Sequence, residues 1–277
     1  MLRPDYALRL SSVFAEPGNE LVAVVQTPYT AIPNAPGVLE RIAGATTDIQ
    51  YIVHQGFTWC DATFWVGANA LLRKRSLDDI RTEEEEGGYL VSKFIQDRTV
   101  IEDTESTVDL AARGWRLHNY PERLAFSATP PDFGSLLIQR RRWANGGLLI
   151  IPKLVQNALT RPFQAITIPS FLVRLHYLSS IATGSIGMLT LLFLPVDAEL
   201  LSAWLPVLAA AYFSMYWRDL LLNGYLPGDI LRVSAFNIML LPINLAGVLK
   251  SVQQGVTGTR TPFARTPKVE GRTAAPA

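Results

Sequence analysis

Two short stretches of this chain carry residue types suited to chemistry. The first is Glu102-Asp103, which follows the apolar, β-branched run Thr99–Ile101 and precedes a helical stretch. Carboxylates at the carboxyl end of a strand face the crevice in which α/β sheets bind ligands. One of them can take a proton from an acceptor hydroxyl, and such a general base contributes about 10²–10⁴ in rate. An acidic pair in this place also serves simply as a helix cap. The second stretch is Gln139-Arg140-Arg141-Arg142-Trp143. At about 100° per residue, Gln139, Arg142 and Trp143 share one helical face. A guanidinium suits a diphosphate because its donors form a planar fork, and an indole suits the apolar face of a sugar. A basic helix lying near anionic lipid headgroups has the same composition.

The elements that position these residues follow from pattern. Leu21–Val25 reads as a buried strand ending at Gln26-Thr27-Pro28, and Tyr29–Gly37 as loop. Val38–Gln55 reads as a helix with breaks. Phe64–Ala70 reads as a strand running into a helix that carries Leu71 and Leu72. The acidic run Glu83–Glu86 reads as a solvated helix start. A helix over Ser106–Arg113 is stopped by Gly114, and Trp115–Phe126 holds one or two short strands. Pro130-Pro131-Asp132 starts a further helix with Asp132 as N-cap. Gly146-Gly147 ends that helix after Asn145. Alternating strands and helices point to an α/β layer.

Composition divides the chain. It has 277 residues, formal net charge +1, 49% hydrophobic and 18% charged residues. Residues 1–160 read as an ordinary globular part, whereas 165–254 are poor in acids and dense in Leu, Ala, Ile and Val. Near-zero charge argues against nucleic acid as a partner. The single cysteine, Cys60, excludes an internal disulfide, and His54, His118 and His176 show no metal-ligand spacing. The N-terminus has no apolar signal core. Ala165–His176 reads as an amphipathic segment on a membrane surface. Leu178–Val196 and Leu200–Leu222 are long enough to span a bilayer, which takes roughly 20 apolar residues. Ile230–Val252 is broken by Pro242. Arg218, Arg232 and the basic tail (Arg260, Arg265, Lys268, Arg272) put the segment ends inside by the positive-inside rule. The expectation is two spans, with Ile230–Val252 interfacial or re-entrant.

With both motifs in this order ahead of membrane segments, the chain resembles the processive family 2 glycosyltransferases: the cellulose, chitin and hyaluronan synthases and their bacterial relatives. Ile101-Glu102-Asp103 is similar to the family's T-E-D, and Gln139, Arg142 and Trp143 form a full Q-x-x-R-W. Phe64-Trp65-Val66-Gly67-Ala68 resembles F-F-C-G-S, and Phe263-Ala264-Arg265-Thr266-Pro267-Lys268 resembles the gating-loop motif F-x-V-T-x-K.

The resemblance implies an α/β fold: part of a GT-A-type nucleotide-sugar transferase domain, followed by α-helical membrane segments. The divisions are 1–160 for the transferase portion, 161–254 for an interface helix, two transmembrane helices and an interfacial or re-entrant helix, and 255–277 for a gating-loop-like cytoplasmic tail. The implied reaction is inverting transfer from a nucleotide sugar, such as UDP-glucose, to a growing β-glycan at the plasma membrane. By resemblance Asp103 is the catalytic base. Glu102, Gln139, Arg142, Trp143, Phe64, Gly67, Phe263, Thr266 and Lys268 bind substrate. The family uses Mg²⁺ or Mn²⁺, whose ligands are expected in an upstream D-x-D half that these residues lack. That leaves a mis-called start, a gene fragment, or a split enzyme whose partner chain supplies the missing half. The implied protein is inactive alone, and the alternative is a non-catalytic remnant or subunit of a split synthase.

Overall fold

The computed structural model describes residues 1–32, 37–67, 69–96, 99–160, 167–193 and 204–259. Its centre is strand β1 (Val22–Gln26), whose five residues are all buried. β1 pairs antiparallel with β3 (Ala70–Leu72) and parallel with β6 (Arg116–Asn119), giving the order β3-β1-β6. Helix α1 (Tyr6–Ala15) covers one face, where Tyr6, Leu10 and Val13 pack on Val22 and Val25. On the other face Ala23 and Val24 meet Trp65, Leu110 and Trp115. A strand covered on both sides shows in sequence as a continuous apolar run, as Leu21–Val25 does.

A second parallel pair joins β2 (Tyr29–Ala31) to β7 (Ala125–Ser127), so part of the expected loop Tyr29–Gly37 is strand. Helix α2 (Val38–Phe57) runs without the expected breaks. No regular element covers residues 62–67. β3 replaces the expected helix at Leu71 and Leu72, and helix α3 (Lys74–Asp79) follows it. The acidic run is not a helix start. Thr82–Glu86 forms β4, paired antiparallel with β5 (Tyr89–Lys93). The turn is Gly87-Gly88, with φ of +59° and +83°, the left-handed pair that a two-residue hairpin demands. Thr99–Ile101 is not a strand. Helix α4 begins at Glu102 and runs to Ala112, ahead of the expected start at Ser106, and Gly114 at φ +85° ends it.

Asp132 caps helix α5 as expected: its Oδ1 accepts from the Ser135 N–H at 2.8 Å and its Oδ2 from the Ser135 hydroxyl at 2.8 Å. The helix does not stop at Gly146-Gly147, however. It spans Phe133–Thr160. The two glycines are contact points instead. A Cβ on Gly146 would strike the Ile101 side chain, and one on Gly147 would lie 2.5 Å from the Leu178 carbonyl oxygen.

Helix α6 (Ile168–Phe193) unites the expected interface segment with the first expected span. Helix α7 (Trp204–Leu222) follows, then α8 (Asp229–Met239) and α9 (Leu241–Thr257), bent by 44° at the break next to Pro242. No single helix among the described residues is long and apolar enough to cross a membrane, while the bent pair α8–α9 qualifies by length and composition. The compositional boundary near 160 is not a boundary in packing. Ile42 and Ala45 of α2, Leu136 of α5, Leu220 of α7 and Phe236 of α8 share one core. Leu136, with 0% exposure, gains about 1.5–3 kcal/mol there by leaving water. Buried polar ties reinforce this core: Asp229 meets Arg41 at 3.2 Å and Arg232 at 2.8 Å, and the Tyr225 hydroxyl donates to Asp48 at 2.6 Å.

Candidate active site

Asp103 sits in the first turn of α4, where the helix N-terminus favours a negative charge. The backbone N–H of Gly67 donates to its Oδ2 at 2.6 Å. Gly67 has φ +87°, a conformation that costs a residue with a Cβ. A second tie runs beside the first. The Trp65 N–H donates to the Thr107 hydroxyl at 2.9 Å, and that hydroxyl donates to the Asp103 carbonyl at 3.0 Å. The segment 64–67 therefore rests on the first turn of α4.

The same segment is held from behind by Gln26 at the end of β1. Its side chain accepts from the Val66 N–H at 3.0 Å and donates to the Phe64 carbonyl at 2.7 Å and to Asn119 at 2.7 Å. Asn119 in turn donates to the His54 carbonyl at 2.7 Å. Gln26 is fully buried, and a buried amide is costly unless its donors and acceptors are satisfied. Sequence reasoning missed Gln26 and Asn119 as site supports. The available signal was a polar residue closing an apolar strand.

Asp103, Glu102, Gly67, Gln139, Arg142 and Trp143 all border one cavity of about 800 Å³. The shared helical face expected for Gln139, Arg142 and Trp143 is thus turned toward the acidic pair. Arg140 borders the cavity as well, and its guanidinium stacks over the Trp143 ring at 4.7 Å. Burial pushes the Glu102 pKa above the ordinary carboxylate range, the Asp103 charge adds to this, and Arg142 opposes it. The cavity continues along α6 at His176, Tyr177 and Met188, and reaches Tyr212, Asn237 and Asn244 of α7, α8 and α9.

Phe64 is not on the cavity wall. It is fully buried, stacked on Tyr177 with centroids 4.8 Å apart, and packed with Val108 and Ile150. The Arg174 guanidinium lies 5.5 Å from its ring and donates to the Asp61 carbonyl at 2.6 Å, pinning α6 to the start of the segment. The expected substrate contacts Phe263, Thr266 and Lys268 lie outside the described residues. Family 2 enzymes commonly use a divalent metal. Among the described residues no three His, Cys, Asp or Glu side chains come together to hold one.

The arrangement can deprotonate a hydroxyl at Asp103, hold an anion at the arginines and hold a flat apolar ring face on Trp143. Comparison with known proteins gives the family. The sequence profile described as "Glycosyl transferase family group 2" matches residues 1–218. A UDP-forming cellulose synthase catalytic subunit of Dictyostelium discoideum is 28% identical over 147 residues, 53% of this chain and 13% of that protein. The UDP-forming cellulose synthase catalytic subunit of Komagataeibacter sucrofermentans is 27% identical over 134 residues, 47% of this chain and 16% of that protein. A probable glucomannan 4-beta-mannosyltransferase 7 of Oryza sativa subsp. japonica is 24% identical over 158 residues, 56% of this chain and 25% of that protein. The chain thus spans a quarter or less of each of these relatives.

Proposed function

The chain belongs to glycosyl transferase family group 2, and from that premise we propose that it forms the acceptor side of a membrane-bound β-glycan synthase. The observation that carries this reading is the convergence of Asp103, Gly67, Gln139, Arg142 and Trp143 on one cavity. In the proposed reaction the Asp103 carboxylate takes the proton of the acceptor hydroxyl. That oxygen forms a bond to the anomeric carbon of a nucleotide sugar, and the bond to the diphosphate breaks on the opposite face, so the centre inverts. Gln139 and Arg142 hold the departing diphosphate, and Trp143 supports the acceptor ring. Uridine diphosphate as the leaving group follows the names of the two cellulose synthase relatives.

The membrane part of the reading rests on composition. Large apolar side chains stand exposed along α6 to α9, among them Leu191, Phe193, Met215, Trp217, Leu231 and Met239. Exposed apolar side chains in such number, where they form one patch, mark contact with lipid or protein. We assign Leu178–Val196 and Leu200–Leu222 as spans, α8–α9 as re-entrant or interfacial, and residues 1–160 and the tail as cytoplasmic.

These 277 residues contain no D-x-D, so we assign the metal ligands and the rest of the nucleotide contacts, beyond those of Gln139 and Arg142 to the diphosphate, to another chain or segment. The test is direct. Purified chain in detergent is titrated with cellohexaose and with UDP, and incubated with UDP-glucose. Cellohexaose binding without turnover supports an acceptor-side protein. Turnover abolished by Asp103→Asn would make it a complete enzyme. Neither binding nor turnover would sink the reading.

A further inference from the structure

Arg140 fills one of the two unspecified places between Gln139 and Arg142. Its guanidinium lies over the Trp143 ring, 4.7 Å from the centroid, at the i,i+3 spacing that makes neighbours on a helix surface. The same group reaches a second helix. Its Nη2 donates to the Thr46 hydroxyl on α2. Thr46 is committed in turn, since its own proton goes to the Ala43 carbonyl at 2.7 Å. Its oxygen thus serves the guanidinium as acceptor. Thr46, Arg140 and Trp143 all border the cavity.

These contacts bear on the indole. A half-buried ring on a cavity wall that nothing holds can turn about its side-chain torsions, and binding a ligand to it then costs the entropy of ordering it. A guanidinium stacked on one face is attracted to the ring's π cloud. Because the guanidinium is also bonded to α2, that attraction holds the ring in one place. The covered face is closed to a sugar, which leaves the opposite face as the platform. Arg140 is poorly placed to join Arg142 on a diphosphate. Two residues apart on a helix, they leave the axis about 200° from each other, and Arg140 is engaged by the ring and by Thr46.

We propose that Arg140 is a positioning residue: held between Thr46 and the Trp143 ring, it fixes the indole in the orientation that offers its uncovered face to the acceptor sugar. This rests on the acceptor-side reading. Arg140 acts through Trp143 and touches neither the sugar nor the diphosphate.

The experiment uses the full chain in detergent, labelled with fluorotryptophan, and cellohexaose as the probe. Six tryptophans give six ¹⁹F signals, and the one that vanishes in Trp143→Phe belongs to Trp143. In Arg140→Gln that signal should move and broaden while the other five stay. Cellohexaose affinity should fall about fivefold, the size of ordering one side chain. Arg140→Lys keeps a cation near the ring and should recover part of the affinity. Thr46→Val removes the anchor. It should cause a smaller loss in the parent and none in Arg140→Gln, because the two residues act as one unit. An unmoved Trp143 signal or unchanged cellohexaose affinity in Arg140→Gln would overturn the inference and leave the acceptor-side reading standing. So would displacement of all six signals, which would make Arg140 a support of the fold. A loss of UDP affinity in place of cellohexaose affinity would make it a diphosphate ligand and overturn the inference too. Absence of cellohexaose binding by the parent chain would overturn both.

Discussion

The Gly67 amide and the Asp103 carboxylate meet at 2.6 Å across 36 residues of sequence. Each end is fixed for its own reason. Asp103 sits where the α4 N-terminus welcomes negative charge, and Gly67 holds φ +87°, a conformation that suits a residue without a Cβ. The hydrogen bond orients the carboxylate while leaving it on the cavity wall, the placement that the proposed general base would need.

Gly67→Ala should therefore act twice. A side chain in the left-handed region costs about 1–2 kcal/mol, so the melting temperature should fall. The displaced amide should also release Asp103, weakening cellohexaose binding beyond what the stability loss explains. Thermal denaturation and titration on the same preparation separate the two. An unchanged melting temperature would show that the turn tolerates a Cβ.

Glu102 provides a pH signature. Burial raises its pKa in the fold, with Asp103 adding and Arg142 opposing. An acid whose folded pKa lies above its unfolded value binds protons more tightly in the folded state. Its presence thus costs stability as pH rises above the ordinary carboxylate range, and costs nothing well below it. Glu102→Gln should melt higher than the parent near neutral pH, with the gap closing by about pH 4. A variant less stable than the parent near neutral pH would mean that attraction to Arg142 outweighs burial.

These elements differ in how far sequence alone reveals them. β1 is legible because burial on both faces leaves an unbroken apolar run, and Asp132 because capping chemistry is local. The Gln139, Arg142 and Trp143 face is legible because helical period alone defines it. Gly146 and Gly147 mislead because a helix-ending glycine and a contact glycine look alike in sequence. Only the approach of Ile101 and of Leu178 tells them apart, and both contacts are tertiary. The acidic run misleads when charge pattern is weighed above Gly87-Gly88, the stronger local hairpin signal. Gln26 is invisible as a support of the site because its meaning lies in partners distant in sequence, Phe64 and Asn119.

Membrane topology gives a prediction independent of chemistry. Basic residues flank the proposed spans on one side, and α8–α9 bends by 44° next to Pro242. Reporter fusions at Thr160 and Ala277 should report the same, cytoplasmic, side. Opposite sides would mean that α8–α9 crosses the bilayer as a third span, and would undercut the proposal that the tail is a gating loop.

Arg142 and Trp143 share a cavity wall but should act on different partners. The measurement needs the chain supplied with a donor-binding half from a relative. Arg142→Lys keeps the charge and loses the bidentate fork. UDP affinity should then fall about tenfold, the size of a lost charge-assisted hydrogen bond, and polymer synthesis with it. Trp143→Ala removes the flat platform, together with the partner of the Arg140 guanidinium stacked 4.7 Å above it. Synthesis should fall while UDP affinity stays close to the parent's. The competing account makes Trp143 an interfacial anchor and Arg142 a lipid-facing charge. Both substitutions would then reduce the amount of inserted protein and spare the activity of what remains. Synthesis and nucleotide affinity must accordingly be expressed per mole of folded, membrane-inserted protein. On that basis, normal synthesis in both variants would end the assignment of these two residues to the site. Loss of synthesis in both, with weakened UDP binding for Arg142→Lys alone, is the expected pattern, because in the proposed reaction the guanidinium holds the leaving diphosphate and the indole holds the sugar that receives the new bond.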